Sequence, residues 1–366
     1  MKIALVHDWL NGLSGAERVL LELHKMFPEA PIYTLFENKK FTSQYLPKAE
    51  IRPSFLQKIP GITKHYKYFF LLMPTAIESF DLSDFDIVIS SSAIFSKGLI
   101  LKPRTRHICY CYSPTRQLWD LNSPDKKPSH PMIYALSKHF LRIWDRQASD
   151  RVSEFVAISE CVRERIQKYY RKDARVIYPP VSLGSKSEIL ESKIQIPKDY
   201  YLIVSRLYFH KNVGIAVEAF NKLGLPLVII GEGPEKEKLK NEIGDNENIK
   251  LLGFVPDENL PFYYQNCKAF IMPQEEDFGI TPVEAMLFGK PVLALRKGGA
   301  IETVIEGKTG EFFDDPIPEA LADGVRRLNE NYPKYSTEDI VSQANKFSVE
   351  KFRKEILDLL AVDKSL

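Results

Sequence analysis

The stretch YLIVSRLYFHKNVGIAVEAFNKLGLPLVIIGEG, residues 201–233, decides the fold class. It contains an apolar run, YLIVS, then an amphipathic run, NVGIAVEAFNKL, and then a second apolar run, PLVIIGEG. Short apolar runs are typical of buried strands, and the amphipathic run has the spacing of a helix. A strand, a helix and a strand in this order predict a parallel sheet that is covered by helices.

The same alternation continues on both sides of this stretch. Further strands are predicted at KIALVHD, PIYTLF, DIVISS, RHICYCY, NIKLLGFV, KAFIMP and KPVLAL, and a further helix at AERVLLELHKMF. Pro179 and Pro180 separate the two series, because a proline restricts its predecessor to extended conformations. The sequence therefore predicts an α/β protein with two doubly wound, Rossmann-like domains that face a central cleft, where ligands bind at the carboxyl ends of the strands.

Length and composition agree with a soluble two-domain protein. The 366 residues fit two domains of ordinary size, which we predict at 1–178 and 179–347, with 184–194 as a flexible loop. No apolar run approaches the roughly 20 residues that a membrane helix needs, and no secretory signal precedes Asp8, so we expect a cytoplasmic protein. The four cysteines lack metal-ligand spacing, so buried thiols and no metal site are predicted.

The two halves of the chain differ in charge. Residues 1–178 contain 27 Lys and Arg against 18 Asp and Glu, a net charge of +9, whereas the remainder contains 23 against 30, a net charge of −7. Within the basic half, residues 51–77 contain cations and aromatic residues but no acid. This composition indicates an anionic membrane surface as partner, and a solvated face over core aromatics is the alternative. Nucleic acid is not expected, because no binding motif accompanies the patch.

The segment QEEDFGITPVEAM, residues 274–286, contains two carboxylates that are separated by seven residues, Glu276 and Glu284. A helix predicted to start near Thr281 would place Glu276 in the preceding loop and Glu284 in the first turn. A helix N-terminus suits a diphosphate, and carboxylates suit sugar or ribose hydroxyls, so the segment indicates a nucleotide-sugar site. Alternatively, Thr281 and Glu284 form a capping box with Pro282 at the first helical position.

The first loop of each predicted sheet offers a further anion site. Gly15 closes the turn NGLSG after the first strand and lets the backbone approach an anion at the following helix. In the second series, Arg206 and Lys211 follow the strand YLIVS, where two cations would clamp a diphosphate. Two surface cations are the alternative for this turn. The dinucleotide fingerprint is incomplete, which argues against a nicotinamide cofactor.

Taken together, these motifs resemble the retaining glycosyltransferases of family 4, which have the GT-B fold, and among them the bacterial O-antigen mannosyltransferases. The resemblance spans essentially the whole chain. It rests on VHDWL, SGAERVL, YSPTRQLWD, VIYPPV, SRL-x3-K, EEDFGI-x-PVEAM and GGAIETV. It implies a metal-independent enzyme without a cofactor, whose last helix, about 348–366, packs back on the N-terminal domain.

The resemblance also implies roles for individual residues. Arg206 and Lys211 would hold the donor diphosphate and act with Glu276 as the catalytic set, Glu276 would bind the donor sugar and Glu284 the ribose. Backbone groups would complete the donor site at Phe278, Gly279, Ile280 and Thr281, with Gly15 approaching from the other domain. The N-terminal domain would bind the acceptor and residues 179–347 the donor.

This chain departs from the family pattern at one position in the acceptor domain. Relatives often carry a histidine ahead of a Thr-Pro, whereas this chain has Tyr112 there, and a phenol cannot replace an imidazolium near pH 7. Other acceptor or cleft candidates near strand ends are Asp8, Arg116, Trp119 and Asp120. For Trp119 a place in the core is the alternative, and for Arg116 and Asp120 a helical i,i+4 surface pair.

The expected reaction is the transfer of a hexose from a nucleotide sugar, with GDP-mannose favoured as donor. The expected acceptor is a polysaccharide or a polyprenyl-diphosphate-linked saccharide in O-antigen-like glycan synthesis, at the inner face of the cytoplasmic membrane. The alternatives are a UDP-sugar-dependent glycosyltransferase, a GT-B sugar-nucleotide epimerase and a non-catalytic sugar-binding protein.

Overall fold

The computed structural model describes residues 1–120, 131–182 and 196–361. The chain forms two compact units, one of Met1–Pro180 with Arg353–Leu366 and one of Val181–Phe352. The predicted loop 184–194 lies outside the described residues. The assignment of acceptor binding to the first unit and donor binding to the second stays a prediction.

The first unit is built on a parallel sheet of seven strands. Its strands are β1 (Ile3–His7), β2 (Ile32–Thr34), β3 (Ile51–Pro53), β4 (Ile87–Ser92), β5 (Arg106–Cys111), β6 (Glu154–Ala157) and β7 (Ala174–Val176). Their order across the sheet is β3-β2-β1-β4-β5-β6-β7. The order reverses between β1 and β4, and such a switch point opens a crevice at the carboxyl ends of the strands.

The second unit repeats this plan with six parallel strands. They are β8 (Tyr201–Val204), β9 (Leu227–Ile230), β10 (Ile249–Gly253), β11 (Ala269–Met272), β12 (Val292–Leu295) and β13 (Gly310–Phe313), in the order β10-β9-β8-β11-β12-β13. The switch point therefore lies between β8 and β11. Two doubly wound parallel sheets confirm the predicted fold class.

Helices follow most of the strands. They are α1 (Gly15–Met26), α2 (Lys39–Tyr45), α3 (Ile62–His65), α4 (Met73–Glu78), α5 (Arg116–Trp119), α6 (Pro131–Asp150), α7 (Glu160–Tyr170), α8 (Val213–Leu223), α9 (Lys236–Ile243), α10 (Leu260–Asn266), α11 (Ile280–Leu287), α12 (Ala300–Thr303), α13 (Pro318–Asn331), α14 (Thr337–Ala344) and α15 (Val349–Ala361). Short 3₁₀ turns include Tyr66–Leu72 and Phe209–Lys211.

The decisive stretch folds as its pattern predicts. In β8 and β9 nearly every side chain is buried, because helices cover both faces of a parallel sheet. In α8 the buried residues include Val213, Ala216, Val217 and Phe220, which lie on one helical face. The helix ends at Gly224, whose φ of +67° is a left-handed conformation that glycine adopts without strain.

The last helix, α15, begins in the second unit and continues into the first. Residues from Arg353 onward belong to the first unit, where the Arg353 guanidinium forms an ion pair with the buried Glu22 of α1. Arg106 of β5 donates a hydrogen bond of 3.1 Å to the carbonyl oxygen of Leu359. These contacts attach the described part of α15 to the first sheet.

Candidate functional site

The candidate site lies in the second unit, at the switch point between β8 and β11. These strands are parallel neighbours, so the loops that follow them leave the same edge of the sheet. The loop after β8 carries Arg206 and Lys211, and the loop after β11 carries Gln274 and Glu276. Lys211 and Glu276 are 65 positions apart in the sequence, and the fold brings them together.

The ion pair between Lys211 and Glu276 is the centre of this site. The Lys211 ammonium is buried and contacts Oε1 of Glu276, whose side chain is 27% exposed. Gln274 donates a hydrogen bond of 3.0 Å to the same carboxylate oxygen. Asn212 donates one of 3.2 Å to the carbonyl oxygen of Pro273, which fastens the two loops to each other. Lys211 and Glu276, both predicted as donor-site residues, are therefore direct partners.

The surroundings keep the Glu276 carboxylate ionised. Burial by itself raises the pKa of Glu276, but the charge and hydrogen bond of Lys211, the amide of Gln274 and the charge of Arg206 together hold it below its ordinary value. Arg206 is exposed, and its guanidinium lies 5.7 Å from the centre of the Tyr208 ring. At neutral pH the site thus presents one carboxylate and two cations.

Two glycines bring a third loop against the Glu276 loop. Gly298 forms an isolated parallel bridge with Glu276, and the Gly299 N–H donates a hydrogen bond of 2.9 Å to the Glu276 carbonyl oxygen. A Cβ at Gly298 would collide with that carbonyl oxygen, and a Cβ at Gly299 would collide with the backbone of Phe278. The sequence GG at this position is therefore required by the close approach of the two loops.

The helix after Glu276 begins within one residue of the predicted start near Thr281. Helix α11 starts at Ile280, and its N-cap is Gly279, with a φ of +87° and no capping side chain. Thr281 and Pro282 are consequently the second and third helical residues, and Glu284 lies in the second turn rather than the first. The capping-box alternative is wrong, because Gly279 takes the N-cap position. The first N–H groups of α11 lack intrahelical acceptors by helix geometry.

Glu284, the predicted ribose ligand, is deeply buried. It is 2% exposed, and the Tyr264 hydroxyl donates a hydrogen bond of 2.7 Å to its Oε2. Phe278 is also buried, and its ring packs edge-on against Phe347 at 5.3 Å. Ribose binding by Glu284 stays a prediction, as does diphosphate binding by the backbone from Phe278 to Thr281.

In the first unit, Gly15 lies at the first position of α1, as the prediction of an anion site requires. The preceding Ser14 occupies the N-cap, but its hydroxyl donates to the Glu17 carboxylate instead of accepting from the helix backbone. Burial raises the pKa of Glu17, whereas the hydrogen bond and charge of His7 lower it to a value below the ordinary one. The donor contact of Gly15 stays a prediction.

Tyr112 is held by hydrogen bonds at the same end of the first sheet. Its hydroxyl donates to the carbonyl oxygen of Ala16 at 2.9 Å and lies 2.7 Å from Ser91 Oγ, which in turn lies 3.0 Å from His7 Nδ1. Burial raises the pKa of Tyr112 well above its ordinary value, so the phenol is protonated at neutral pH. It therefore acts as a neutral hydrogen-bonding group.

Asp8 organises the loop after β4. Its Oδ2 accepts backbone N–H groups from Ala93 and Ile94 at 2.7 and 2.8 Å, and its Oδ1 accepts those of Phe95 and Ser96, both at 2.7 Å. Asp8 is buried, so the four amides take the place of water around the carboxylate. This arrangement gives Asp8 a structural role, and its contact with an acceptor stays a prediction.

The remaining acceptor candidates lie on or beside α5. Arg116 and Asp120 form the i,i+4 ion pair at 3.7 Å that the structural alternative describes, and their contact with an acceptor stays a prediction. Trp119 donates a hydrogen bond of 2.7 Å to Asp145 Oδ2 and stacks on Tyr169 at 5.2 Å. Its indole is thus fixed by α6 and α7, and its contact with an acceptor stays a prediction.

Sequence reasoning missed a buried ion pair behind α5. Lys97 and Asp145 are each about 1% exposed, and their charged atoms are 2.6 Å apart. Asp145 also accepts hydrogen bonds of 2.7 Å from the side chains of Thr115, Trp119 and Tyr170. Burial lowers the pKa of Lys97, but the charge and hydrogen bond of Asp145, with smaller contributions from Cys111 and Cys109, together raise it above its ordinary value, so the lysine is charged. No spacing rule links residues 97 and 145, which only the fold brings together.

A metal-binding cluster and a membrane-spanning helix are both absent from the part of the chain that the structure describes. No cluster of three or more His, Cys, Asp or Glu side chains there has an arrangement that would hold a metal ion. Within the same residues, no helix combines the length and apolar character that crossing a bilayer requires. Cys109, Cys111 and Cys267 are buried thiols, as predicted, and Cys161 is partly exposed.

Two family models match consecutive parts of the chain. Residues 13–184 match the model for Glycosyltransferase Family 4, and residues 186–347 match the model for Glycosyl transferases group 1. The boundary between the matches falls just after the end of the first unit at Pro180. Together the two matches include Glu17, Lys211, Glu276 and Glu284, so the candidate site lies within them.

Individual proteins are similar over different lengths. Alpha-1,3/1,6-mannosyltransferase ALG2 of Candida glabrata is 25% identical over 83% of this chain and 78% of its own length. The GDP-mannose-dependent alpha-(1-6)-phosphatidylinositol monomannoside mannosyltransferase of Mycolicibacterium smegmatis is 33% identical, but over only 34% of this chain and 37% of its own. Among the first four such relatives, the aligned part spans from 60% to 89% of the relative's length.

The architecture also matches a solved structure over its full length. The Anabaena protein Alr3699/HepE, crystallised with UDP and glucose, superposes with a TM-score of 0.71 at 19% identity. The superposition covers 100% of each chain. At this level of identity the similarity establishes the shared fold.

Proposed function

Since the chain is a glycosyltransferase of family 4 with the GT-B fold, we propose that it transfers mannose from GDP-mannose to a lipid-linked or polysaccharide acceptor. The transfer retains the configuration of the anomeric carbon, and the product belongs to a cell-surface glycan of the O-antigen type. The observation that carries the proposal is the Lys211–Glu276 pair with Arg206 beside it, at the switch point of the second unit. Such a crevice is where doubly wound sheets bind nucleotides.

The choice of donor rests on charge and on the relatives. A nucleoside diphosphate is an anion that two cations and a helix N-terminus favour, and Arg206, Lys211 and the start of α11 supply these groups. Glu276 accepts hydrogen bonds from hexose hydroxyls. Two of the similar proteins have mannosyltransferase in their names, and one of these names specifies GDP-mannose. A UDP-sugar is the alternative donor.

In the proposed reaction, the bond between the anomeric carbon and the phosphate oxygen breaks as the bond to the acceptor oxygen forms. Negative charge grows on the departing diphosphate, and a positive group that interacts more strongly with this charge than with the bound donor lowers the barrier. Lys211 is suited to this role because its ammonium is held between the loops. The proton of the acceptor hydroxyl passes to the departing phosphate oxygen, as the resemblance to the family implies.

The acceptor side of the proposal rests on the first unit. Residues 51–77 remain free of acids, and Lys58, Lys64 and Lys67 are exposed. Among the described residues, none of these three lysines forms an ion pair. Of the five aromatic residues in this segment, Tyr66, Phe69 and Phe70 pack partly buried against the core, whereas Phe55 and Tyr68 are exposed. The exposed cations suit the phosphates of a polyprenyl diphosphate or of an anionic membrane at the cytoplasmic face.

The test of the donor site is the substitution Lys211→Met. Methionine keeps most of the apolar stem but removes the charge, so we expect kcat/KM for transfer to fall by about 10²–10³. The matched control is Lys222→Met, which removes an exposed, ion-paired lysine of the same unit and leaves transfer unchanged. Product is measured with and without acceptor, because a transferase needs the acceptor and an epimerase does not. Wild-type transfer by Lys211→Met would refute the proposed role of the pair.

A further inference from the structure

Gln274 is a buried glutamine in the loop after β11, close to the Glu276 carboxylate. The residue is 3% exposed, and its Nε2 donates the hydrogen bond of 3.0 Å to Glu276 Oε1. Its own Oε1 is also buried and has no hydrogen-bond partner among the residues that the structure describes. A buried acceptor without a partner destabilises a fold, and most buried polar atoms do have partners. Packing alone therefore does not account for a glutamine at this position.

The orientation of this amide follows from the charge of its neighbour. Burial raises the pKa of Glu276, but the charge and hydrogen bond of Lys211, with Gln274 and Arg206, hold it below its ordinary value. The carboxylate is thus ionised and only accepts hydrogen bonds. A flipped amide would place two acceptors 3.0 Å apart, so the nitrogen of Gln274 must face Glu276. The direction of this hydrogen bond is therefore fixed.

The loop does not need the side chain of Gln274 to keep its course. Asn212 donates a hydrogen bond of 3.2 Å to the Pro273 carbonyl oxygen, and the Gly299 N–H donates one of 2.9 Å to the Glu276 carbonyl oxygen. These bonds hold the backbone on either side of Gln274. A methionine is of similar size and would fill the space without an unpaired oxygen. What the glutamine adds is its hydrogen bond to the Glu276 carboxylate.

The two oxygens of the Glu276 carboxylate have different surroundings. Oε1 takes both side-chain contacts, from Lys211 and from Gln274. Oε2 receives no hydrogen bond from the described part of the chain. It is not among the buried unpaired atoms there, so it is accessible on a side chain that is 27% exposed. One oxygen is held by the protein, and the other is open to a ligand.

Two donors on Oε1 fix the plane of the carboxylate. The Lys211 ammonium alone would leave the carboxylate free to rotate, because its three protons are equivalent and define no plane. The planar amide of Gln274 is a second donor with a fixed direction, and it restricts this rotation. Oε2 then keeps one direction, which a hydrogen bond of good geometry requires.

We propose that Gln274 is a positioning residue of the donor site, which orients the Glu276 carboxylate so that Oε2 accepts a hydrogen bond from a hydroxyl of the donor hexose. This inference rests on the proposed function, because it requires that the site binds a nucleotide sugar. In that function the diphosphate contacts the cations and the start of α11. Gln274 therefore acts on the sugar and leaves the binding of the nucleotide unchanged.

The first variant is Gln274→Met, and its readout is the slow hydrolysis of GDP-mannose without acceptor. We expect kcat/KM to fall by about tenfold to a hundredfold, the effect of losing one hydrogen bond to a charged group. The inhibition constant of GDP, which has no hexose, should keep its wild-type value. The unfolding temperature should not fall, because the variant also removes the unpaired oxygen. A role in folding alone would lower that temperature and leave the kinetics unchanged.

The matched control is Gln343→Met. Gln343 of α14 is also buried, its Nε2 donates a hydrogen bond of 3.2 Å to the Thr303 carbonyl oxygen, and its Oε1 is likewise unpaired within the described chain. The control thus removes a similar amide that does not contact Glu276. Its kcat/KM for hydrolysis should equal that of wild type.

The second variant, Gln274→Glu, makes the orientation of Glu276 depend on pH. It places a second carboxyl group where the amide nitrogen now lies, 3.0 Å from Glu276 Oε1. Two such groups share a proton, which donates in place of the amide N–H. Lys211 and Arg206 are the other charged groups that act on this pair. Since the shared proton is lost as the pH rises, hydrolysis relative to wild type should fall from about pH 5 to about pH 8.

The outcomes separate this inference from the proposed function. Wild-type kcat/KM in Gln274→Met would overturn the inference, and so would an equal loss of affinity for GDP, because the residue would then act on the whole site. A ratio to wild type that does not change with pH in Gln274→Glu would overturn it as well. If wild type uses a UDP-sugar, that donor and UDP replace GDP-mannose and GDP. Hydrolysis of neither donor by wild type would instead contradict the proposed function itself.

Discussion

His107 illustrates at the residue scale how burial sets a charge state. Its imidazole lies in β5 and is 1% exposed, with Nε2 at 2.9 Å from Ser90 Oγ and Nδ1 without a hydrogen-bond partner. Burial, with a smaller contribution from the positive charge of Arg151, lowers the pKa of His107 to about 3. The folded protein therefore keeps this histidine neutral in a range of pH where the unfolded chain protonates it.

This difference predicts a loss of stability in mild acid. Between the unfolded pKa near 6.5 and the folded pKa of about 3, the unfolded state binds more protons, so the free energy of unfolding falls as the pH falls. From pH 7 to pH 5 we expect His107 to account for a loss of about 2 kcal/mol. The variant His107→Gln keeps a polar group for Ser90 but does not titrate, and it should lack this part of the pH dependence.

Denaturant unfolding at several pH values checks the prediction. The control His139→Gln removes an exposed histidine of α6 and should follow the wild-type profile. If His107→Gln loses stability between pH 7 and pH 5 as steeply as wild type, burial of His107 is not the cause.

The ion pair between Lys211 and Glu276 changes what a substitution at either residue is expected to do to stability. The sequence places Glu276 in a loop, where removal of a side chain ordinarily has little effect on folding, yet this carboxylate neutralises the buried ammonium of Lys211. An alanine there would leave a buried charge without this partner, which costs stability as well as activity. A substitution that removes the lysine charge is therefore the cleaner test of function than one that removes the carboxylate.

At the scale of elements, most of the central strands could be predicted from sequence because their apolar runs are buried on both faces. The strands β3, β6, β7 and β13 were not predicted. β3 and β7 have only three residues and are partly exposed, whereas β6 and β13 are buried but have the short sequences EFVA and GEFF, which lack a continuous apolar run of usual strand length. The start of α11 was predicted to within one residue, but the capping box that Thr281, Pro282 and Glu284 fit does not form. Gly279, with a φ of +87°, takes the N-cap position instead.

The same limit applies to the site and to α6. The motifs placed Lys211 and Glu276 in one donor site, but the ion pair between them was not predicted, because it depends on β8 and β11 being neighbours in the sheet. The burial of Glu284 against Tyr264 could not be predicted either, since it depends on where α10 packs on α11. Helix α6 was not predicted, and its buried face, which includes Leu141, Asp145 and Ala148, likewise follows only from the packed fold.

The basic segment 51–77 gives a prediction for an element. Replacing Lys58, Lys64 and Lys67 with glutamine should weaken binding to anionic vesicles at low salt, because each cation near the surface contributes about 1 kcal/mol. Wild-type binding should also weaken with added salt, since the attraction is screened over about 8 Å at physiological ionic strength. Vesicle sedimentation across a salt series measures both effects.

Donor hydrolysis should be unchanged in this triple variant, because the lysines lie in the first unit and the candidate donor site in the second. Binding of the triple variant to anionic vesicles at the wild-type level would show that residues 51–77 are only a solvated face.

At the scale of the whole molecule, two compact units predict that a donor stabilises the chain unevenly. A ligand that is present at a hundred times its dissociation constant adds about 2.7 kcal/mol to the state that binds it. GDP-mannose should therefore raise the unfolding temperature of the unit that contains Lys211 and Glu276, and Lys211→Met should reduce this shift. Calorimetry with a panel of nucleotide sugars measures the effect. A shift with UDP-sugars but none with GDP-mannose would reassign the donor.

The Lys97–Asp145 pair limits the routes by which this sequence can diverge. Loss of either residue alone leaves a charge in the interior at a cost of about 3–5 kcal/mol. Such a cost approaches the entire stability of many domains, which is about 5–15 kcal/mol. A lineage that exchanges both residues for apolar ones of similar volume avoids that cost, but each single step towards it passes through a poorly folded ancestor. The pair should therefore be inherited, or lost, as one unit of evolutionary change.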